Sequence, residues 1–587
     1  MQRYFGTSYS VKPYSLTRSH PMLRRLAQRL TFITAPAIIA LVAALPARSA
    51  ERVYLTYGLL ERSVSFEGLR QYAETGDLDD DLFVYTGYVT PEQRQQLRSI
   101  LRSKADVDAV SISQFLYSPQ GELLLKRLGQ VIQPEARTEG GVAIRAALIL
   151  AAADKAKGLT PLNVIAKFPT RGIRIDLQST LRVAGELQRI VTETQKYVAA
   201  VTDEADREIT TLPNTRVALD LSLKGRIPFD RTSVILTDAL RLNPVGGVKP
   251  RAFPVDVYRP RTLGQAKIPV VIISHGVGSD RSTFRYLATH LASHGFAVFV
   301  PEHPGSSAKQ ITSLLRGIAQ EVAEPSEFVD RPLDIRYLLD TFSKDSRYLD
   351  LNFNRVGVVG QSFGGYTALT LAGAPLNFDN LAKECTEEQL LNTFNVSLTL
   401  QCRATQLDLR NYELADPRIA ATIAINPFSS AVHGQASIEQ IKTPTMIVSG
   451  GSDTVAPAVP EQILPFTWLK TRDRYLVMVD QGSHFSFLAD PPPGSDSISV
   501  PPEIVGPGPA QARRYMSSIG LAFFRTYLAN QVGFKSFLTA SYAKSISDPK
   551  LPIVLVTQFD PKSAGSLKPK PIVPKPIVVP MTPPPKP

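Results

Sequence analysis

The sequence has 587 residues, of which 43% are hydrophobic and 20% charged, and a formal net charge of +12. The basic excess lies at the two ends: residues 1–50 contain seven basic and no acidic residues, and residues 561–587 contain five and none. Residues 51–560 are formally neutral, which argues against a nucleic-acid-binding protein, since such a protein needs a basic surface. The only cysteines, Cys385 and Cys402, exclude a disulfide-rich scaffold and a four-cysteine zinc site.

The first fifty residues have the order of a secretory signal. Three arginines within positions 24–29 precede an apolar run of 16 residues at 30–45, and small residues follow. The run is short for a membrane span, which favours cleavage near Ser49 or Ala50. We therefore predict that residues 1–50 are an export segment and that the protein is periplasmic or extracellular. An uncleaved anchor is the alternative.

Residues 51–185 contain repeated helix-start signals. A hydroxyl residue precedes proline at Thr90-Pro91, Ser118-Pro119 and Thr160-Pro161. In this order the hydroxyl caps the helix and proline occupies the first turn, where its missing N–H costs nothing. We predict a small all-α domain over residues 51–185, followed by a linker and lead-in strands over residues 186–249. Structural support is the expected role of this domain, and a lid or lipid-contacting role is the alternative.

Short apolar runs alternate with helical segments over residues 250–545. Six runs are apolar almost throughout, as strands covered on both faces require. They are residues 269–274, 296–300, 355–360, 419–426, 445–449 and 474–479. This alternation predicts an α/β fold with a mostly parallel, doubly wound sheet. Residues 546–587 are rich in proline and lysine, and we predict a disordered tail there.

A candidate nucleophile follows the third of these runs. The predicted strand leads directly into Gly360-Gln-Ser362-Phe-Gly364, and a helical segment follows. This Gly-x-Ser-x-Gly pattern between a strand and a helix is typical of a sharp turn that exposes a catalytic serine. Ser362 is therefore the predicted nucleophile.

A serine nucleophile needs a base and an acid that orients the base. Asp453 follows the fifth apolar run and His484 follows the sixth, so the chain order is Ser, Asp, His. We predict a Ser362–Asp453–His484 catalytic triad. Asp480 is a competing acid, but at a strand end it would point poorly toward the histidine ring.

Backbone N–H groups are needed to stabilise the oxyanion of the transition state. The residue after the nucleophile, Phe363, supplies one, and the glycine-containing loop after Ser274 should supply the other. We assign the second donor to Val277. We read His275 as a residue that shapes this loop.

These residues carry a family resemblance. Ser274-His-Gly-Val-Gly278, Leu291-Ala-Ser-His-Gly295, Glu302-His303 and Gly360-Gln-Ser-Phe-Gly-Gly365 resemble platelet-activating-factor acetylhydrolases, within the wider dienelactone-hydrolase-like α/β hydrolases. The resemblance covers residues 250–530 and implies an α/β-hydrolase fold. It also implies a carboxylic-ester hydrolase that uses no metal or other cofactor and acts on a small-molecule or lipid ester.

The preceding helical segment resembles a domain of unknown function found before such hydrolases. The chain departs from the family at Asn426, because the family places its acid after that strand. Asp453 instead matches the acid position of dienelactone hydrolases.

The segment 375–417 lies between the nucleophile helix and the next strand, where caps and substrate pockets are often built. It contains Cys385 and Cys402. In an exported protein we predict that these cysteines form a disulfide that closes this cap insertion, and two ordinary buried cysteines are the alternative.

The sequence thus predicts an exported serine esterase or lipase that forms an acyl-enzyme. A serine peptidase of the same fold and a catalytically idle envelope-binding protein are the alternatives. Peripheral contact with a membrane or cell wall is left open.

Overall fold

The computed structural model describes residues 50–566 except positions 88, 212–218, 243–249, 263–265, 494, 496, 498 and 499. The predicted export segment before residue 50 and most of the predicted tail, beyond residue 566, lie outside the described residues. The elements of the front part are β1 (Arg52–Tyr57), β2 (Leu60–Ser65), α1 (Phe66–Thr75), α2 (Asp80–Phe83), α3 (Pro91–Arg102), α4 (Ala109–Leu116), α5 (Pro119–Val131), β3 (Ile132–Pro134), α6 (Gly141–Ala153), α7 (Pro161–Ala166), β4 (Gly172–Asp176) and α8 (Leu177–Thr211).

The remaining elements carry the large sheet. They are β5 (Phe229–Asp238), β6 (Arg251–Pro260), β7 (Ile268–Ser274), α9 (Arg285–Ser293), β8 (Ala297–Pro301), α10 (Ala308–Leu315), α11 (Glu327–Phe342), β9 (Leu351–Gln361), α12 (Phe363–Leu371), α13 (Phe378–Glu384), α14 (Glu387–Asn392), α15 (Val396–Gln401), β10 (Ile419–Ile425), α16 (Gly434–Ile438), β11 (Thr445–Gly450), α17 (Leu464–Trp468), β12 (Arg474–Val479), α18 (Pro502–Val505), α19 (Pro509–Tyr527), α20 (Ala540–Ile546) and β13 (Ile553–Val556).

The large sheet has nine strands in the order β5-β6-β8-β7-β9-β10-β11-β12-β13. The six central strands, β8 to β12 in this order, are parallel, and the remaining strands join antiparallel at the edges. Helices pack on the sheet, so the central strands are buried at almost every position, as their apolar runs require. The predicted α/β fold is confirmed. The nucleophile, acid and histidine positions follow β9, β11 and β12, at the carboxyl edge of the sheet.

The front domain is not all-α, which corrects the prediction. It contains a four-stranded sheet in the order β2-β1-β4-β3, with β1 parallel to β4 and the other pairs antiparallel. The helices begin as predicted: the hydroxyls of Thr90, Ser118 and Thr160 each accept a hydrogen bond from the backbone three residues on. The strands escaped prediction because they are short and half-exposed, and because β1 pairs with a strand more than a hundred residues away.

Two predicted boundaries also need correction. Residues 186–249 are not simply a linker with strands, because α8 continues to Thr211 and packs Val201 and Ala205 into the core beneath the large sheet. The predicted tail contains β13, which pairs antiparallel with β12. Its four apolar residues lie ten residues before the proline-rich run that dominated the prediction, and they were included in the tail. The hydrolase core therefore includes residues on both sides of the predicted 250–545 range.

The segment 375–417, which is the predicted cap insertion and is called the cap below, contains α13, α14 and α15. The front domain contacts it, since Lys126 Nζ of α5 lies 3.0 Å from Glu387 Oε1 and Arg127 donates to the carbonyl of Thr393. The exposed Lys126–Glu387 ion pair contributes little to stability. Together the two contacts show that the front domain lies next to the cap. Among the helices of the described residues, none has the length and apolar composition that a membrane crossing requires.

Candidate active site

Ser362 stands at the turn between β9 and α12. Its backbone has φ 56° and ψ −116°, a conformation that residues with side chains rarely adopt. The flanking glycines are required by contact: a Cβ on Gly360 would lie 1.8 Å from the Gly364 carbonyl oxygen, and one on Gly364 would lie 2.0 Å from the Ser274 oxygen. The close approach of strand, turn and helix forces the serine to the edge of the sheet, in the geometry of a nucleophile elbow.

Asp453 and His484 meet at the ends of neighbouring strands. His484 Nδ1 lies 2.7 Å from Asp453 Oδ2, and both side chains are almost fully buried. The other carboxylate oxygen, Oδ1, accepts hydrogen bonds from the backbone N–H groups of Val455 and Ala456, each at 2.8 Å. Because Oδ1 is held by the backbone, Oδ2 is aimed at the imidazole. The competing acid, Asp480, lies on the surface at the end of β12.

The loop that carries His484 is tied to the strand that carries Ser362. Gln361, which precedes the serine, donates from Nε2 to the His484 carbonyl at 3.1 Å. The serine itself donates its backbone N–H to the carbonyl of Ile425 at the end of β10. These bonds bring the carboxyl ends of β9, β10 and β12 into one site.

Asn426 joins the same loops and was not recognised as a site residue from the sequence. Its Nδ2 donates to the carbonyls of Ser483 at 3.1 Å and His484 at 3.2 Å, and its Oδ1 accepts from the Gly450 N–H at 2.9 Å. The residue is buried and has a positive φ of 42°. Its place at the end of a predicted strand was the available signal, but the spacing of its partners could not be read from the sequence.

The loop after Ser274 lies against the nucleophile. A Cβ placed on Gly276 would come within 3.3 Å of the Ser362 Cβ and 2.4 Å of Gln361 Oε1, so only glycine lets this backbone approach so closely. Val277 packs against the apolar cluster that contains Phe363. The two assigned backbone donors therefore belong to segments that flank Ser362.

His275 shapes this loop, as expected from the sequence. Its Nδ1 lies 2.7 Å from the Gly276 carbonyl oxygen, and its Nε2 accepts the backbone N–H of His303 at 3.0 Å. Burial, together with the nearby positive charge of Arg331, holds the pKa of His275 well below its ordinary value. The ring is therefore neutral at neutral pH and is bonded within the protein.

A second Ser–His–Asp chain lies behind the loop. Ser274 Oγ is 2.9 Å from His303 Nε2, and His303 Nδ1 is 3.0 Å from Asp334 Oδ2. Burial and Arg331 lower the pKa of His303 to about 4, so this imidazole is also neutral. All three side chains are fully buried, so they hold the start of the loop and offer no surface to a substrate. This second chain was not identified from the sequence.

The cap is closed by a disulfide between Cys385 and Cys402, whose Cα atoms are 5.4 Å apart. A buried carboxylate fastens the cap to the site: Glu461 accepts hydrogen bonds from Gln401 of the cap and from the backbone N–H groups of Ser429 and Ser430. Leu381 and Leu398 of the cap belong to the same apolar cluster as Phe363 and Val277. The cap thus forms an apolar wall near the nucleophile turn.

The sheet order and the strained strand-to-helix turn at Ser362 define the class of fold: the chain has an α/β-hydrolase fold. Comparison with known proteins agrees. Residues 49–176 match the family "Alpha/beta hydrolase of unknown function (DUF1400)", and residues 245–334 match the family "Platelet-activating factor acetylhydrolase, isoform II". The first of these matches covers the front domain and its four-stranded sheet.

A curated relative points the same way. Platelet-activating factor acetylhydrolase from Cavia porcellus is 30% identical over 136 residues, and the match covers 18% of this chain and 31% of the relative. The matched stretch thus spans about a third of the relative's length. Together these matches confirm the resemblance to platelet-activating-factor acetylhydrolases. Neither family match extends to Ser362, so the assignment of the reacting residues depends on the geometry of the site.

Proposed function

We propose that this protein is an exported serine carboxylic-ester hydrolase of the esterase or lipase type, acting through Ser362, His484 and Asp453. The observation that carries the proposal is the 2.7 Å contact between His484 Nδ1 and Asp453 Oδ2, next to the strand that presents Ser362 at a strained turn. The family matches support the broader statement that the chain is an esterase-type hydrolase.

The geometry supports the following reaction. Asp453 accepts the Nδ1–H of His484, which leaves Nε2 to take the proton of the Ser362 hydroxyl. The serine oxygen attacks the ester carbonyl carbon, and the N–H groups of Phe363 and Val277 stabilise the resulting oxyanion. His484 returns the proton to the leaving alcohol as the ester C–O bond breaks, and an acyl-enzyme remains. Water, deprotonated by the same histidine, then releases the carboxylic acid and restores the serine.

The substrate is proposed to be an acyl lipid or a short-acyl phospholipid. The apolar cluster formed by the cap, Val277 and Phe363 suits an acyl chain, because an uncharged chain is bound best by desolvated apolar side chains. The name of the Cavia porcellus relative describes an acetylhydrolase of platelet-activating factor, which adds a short-acyl phospholipid to the candidates.

The test is a panel of p-nitrophenyl esters of increasing chain length, with a short-acyl phospholipid alongside, and a p-nitroanilide as the amide control. We expect ester hydrolysis with a preferred chain length, little amide hydrolysis, and a loss of about 10⁶-fold in turnover in Ser362→Ala. Ester hydrolysis at the wild-type rate in a folded Ser362→Ala variant would refute the proposal.

Export is part of the proposal. It is supported by the signal-like order of residues 1–50 and by the Cys385–Cys402 disulfide, since such bonds persist in oxidising compartments. Mass spectrometry of the protein recovered from the culture medium or periplasm should find a chain that starts near Ala50 and contains no free thiol. A chain that stays in the cytoplasmic fraction with its first fifty residues attached would contradict export.

A further inference from the structure

A fully buried group of charged side chains lies behind the candidate oxyanion hole. Arg251 binds Asp334 through two hydrogen bonds of 2.8 Å and Glu327 through one of 2.7 Å, and Arg331 is buried beside them. Buried ion pairs are weak evidence for stability, because their attraction must first offset the cost of removing both charges from water. Stability alone therefore does not explain why a charged Arg331 is buried in this group.

Arg331 holds one end of the short stretch that contains Val277 directly and the other end through Ser306. Its Nη1 donates to the carbonyl of His275 at 2.8 Å, and its Nε donates to Ser306 Oγ at 2.8 Å. The carbonyl of Ser306 in turn accepts the N–H of Gly278 at 2.9 Å. Val277 lies between these two attachments, so the direction of its N–H depends on the arginine.

Arg331 also contacts the residue that supplies the other donor. Its guanidinium carbon lies 4.4 Å from the centre of the Phe363 ring, within the range of a cation–π contact. The ring is confined on its other sides by Phe328 and Phe428, whose ring centres are 4.8 Å and 5.4 Å away. A single side chain thus touches both segments whose N–H groups are to meet the oxyanion.

We propose that Arg331 is the positioning residue of the oxyanion hole and fixes the separation and direction of the Val277 and Phe363 N–H groups. The inference rests on the proposed function, because it presumes that these donors serve a reaction at Ser362. A planar guanidinium suits the task, since it donates from separate nitrogens in its plane while its flat face covers an aromatic ring. The ammonium of lysine donates from a single atom and has no flat face.

The charge of Arg331 persists at the site. Burial lowers its pKa to about 10, while the carboxylates of Glu327 and Asp334 act in the opposite direction. The guanidinium is therefore positively charged at neutral pH, as its contacts with a carbonyl and an aromatic face require.

The experiment compares Arg331→Lys with Arg241→Lys in the full-length protein. Arg241 pairs with Asp238, Asp330 and Asp334 on the same acidic face. It shares Asp334 with His303, but among the described residues it has no bond to His275, Ser306 or the Phe363 ring. Two quantities are measured: kcat and KM for p-nitrophenyl butyrate, and the affinity for butylboronic acid. The boronic acid forms a tetrahedral adduct on the serine and places an oxygen where the oxyanion develops.

We expect Arg331→Lys to lower kcat at least about tenfold and to weaken the binding of butylboronic acid by a similar factor. The reference is the complete removal of one oxyanion donor, which lowers turnover by about 10²–10³-fold. KM should change by no more than about twofold, since the ground state does not need these donors. Arg241→Lys should leave both quantities near the wild-type values. If Arg331 had only a structural role, Arg331→Lys would lower thermal stability without a parallel loss of kcat and boronate affinity.

A folded Arg331→Lys variant with wild-type kcat and boronate affinity would overturn the inference. If that variant does not fold, Ser306→Ala carries the test. It removes the acceptor of Arg331 Nε, together with the hydrogen bond that the same hydroxyl donates to Glu327. We expect this variant to lose about threefold or more in both quantities, and wild-type values in it would likewise overturn the inference. An inactive wild-type protein would instead refute the proposed function, so the two failures are distinguishable.

Discussion

At the scale of single residues, Asn426 explains why the acid of this site lies where it does. Its amide nitrogen donates to two carbonyls of the loop that carries His484, and its oxygen accepts from the end of β11. A carboxylate has no hydrogen to donate, so an aspartate could not make the first two bonds. The position after β10 is thus occupied by a residue that holds the histidine loop. In the proposed triad the acid comes from the next strand, as Asp453.

The bonding of Asn426 makes its replacement by aspartate costly. We expect Asn426→Asp to lower kcat at least about tenfold and the free energy of unfolding by about 1–3 kcal/mol, because a carboxylate would face two carbonyl oxygens. Urea unfolding and p-nitrophenyl butyrate kinetics measure the two effects. Asn530→Asp is a matched control, since Asn530 also has a positive φ but lies on the surface. Equal behaviour of the two variants would contradict the positioning role of Asn426.

The two candidate acids can be separated by the same change at each. Asp453→Asn should lower kcat by about 10³–10⁴-fold, because the amide cannot hold the imidazole in the required tautomer. Asp480→Asn, on the surface at the end of the neighbouring strand, should keep near-wild-type kcat. The reverse pattern, with the larger loss at Asp480, would assign the acid to that residue.

At the scale of elements, the parallel strands could be predicted because each is buried on both faces and therefore apolar throughout. The turn at Ser362 could be predicted because the close approach of backbone segments there leaves room only for glycine, and this gives the sequence a recognisable pattern. The strands β1 and β2 could not, since half of each strand faces solvent and their pairing with β4 depends on chain segments far apart in sequence. The strand β13 is only four residues long, and its pairing with β12 is equally non-local.

The cap offers a test at this scale. The disulfide joins cysteines 17 positions apart, and closing a loop of this size contributes about 3 kcal/mol by restricting the unfolded chain. The double variant Cys385→Ser, Cys402→Ser should therefore show faster amide hydrogen exchange in α13 to α15 at neutral pH. Exchange in the central strands should be unchanged, which makes them the internal control. Identical exchange in the cap with and without the disulfide would contradict this prediction.

At the scale of the whole molecule, buried neutral histidines link stability to pH. Burial lowers the pKa of His433 to about 4, where it stacks on Tyr366 with 5.0 Å between ring centres and lies 3.1 Å from the Pro375 carbonyl. The unfolded chain binds this proton below about pH 6.5. Between pH 6.5 and 4 the unfolded state therefore holds more protons, so this contribution to stability is complete above 6.5 and is lost as the pH falls.

Replacing the histidine isolates that contribution. His433→Asn keeps a donor for the Pro375 carbonyl but cannot titrate, so the free energy of unfolding should fall less steeply between pH 6.5 and 4 than in the wild type. The expected difference is at most about 3 kcal/mol. Urea unfolding across this range measures it, and the difference between the two proteins at pH 7.5 gives the pH-independent effect of the substitution, which is subtracted. Parallel curves for the two proteins would show that His433 does not control this slope.

The sequence allowed prediction of those site residues that stand at recognisable places along the chain. Ser362, Asp453 and His484 each follow a recognisable strand, so their order and placement pointed to one edge of the sheet. Arg331 carries no such signal, because it lies within a helix that reads as ordinary structure and acquires its contacts only when β7, β8 and β9 assemble in front of it. Residues that position others are defined by tertiary contact and were therefore missed.

The central claim is that Ser362 is the activated nucleophile of a serine hydrolase. It is tested most directly by labelling the protein with a fluorophosphonate probe and locating the adduct by peptide mass spectrometry. We predict a single adduct on Ser362 that is abolished in Ser362→Ala and strongly slowed in His484→Ala. An adduct on another serine, such as the buried Ser274, or labelling that survives in Ser362→Ala, would contradict the account.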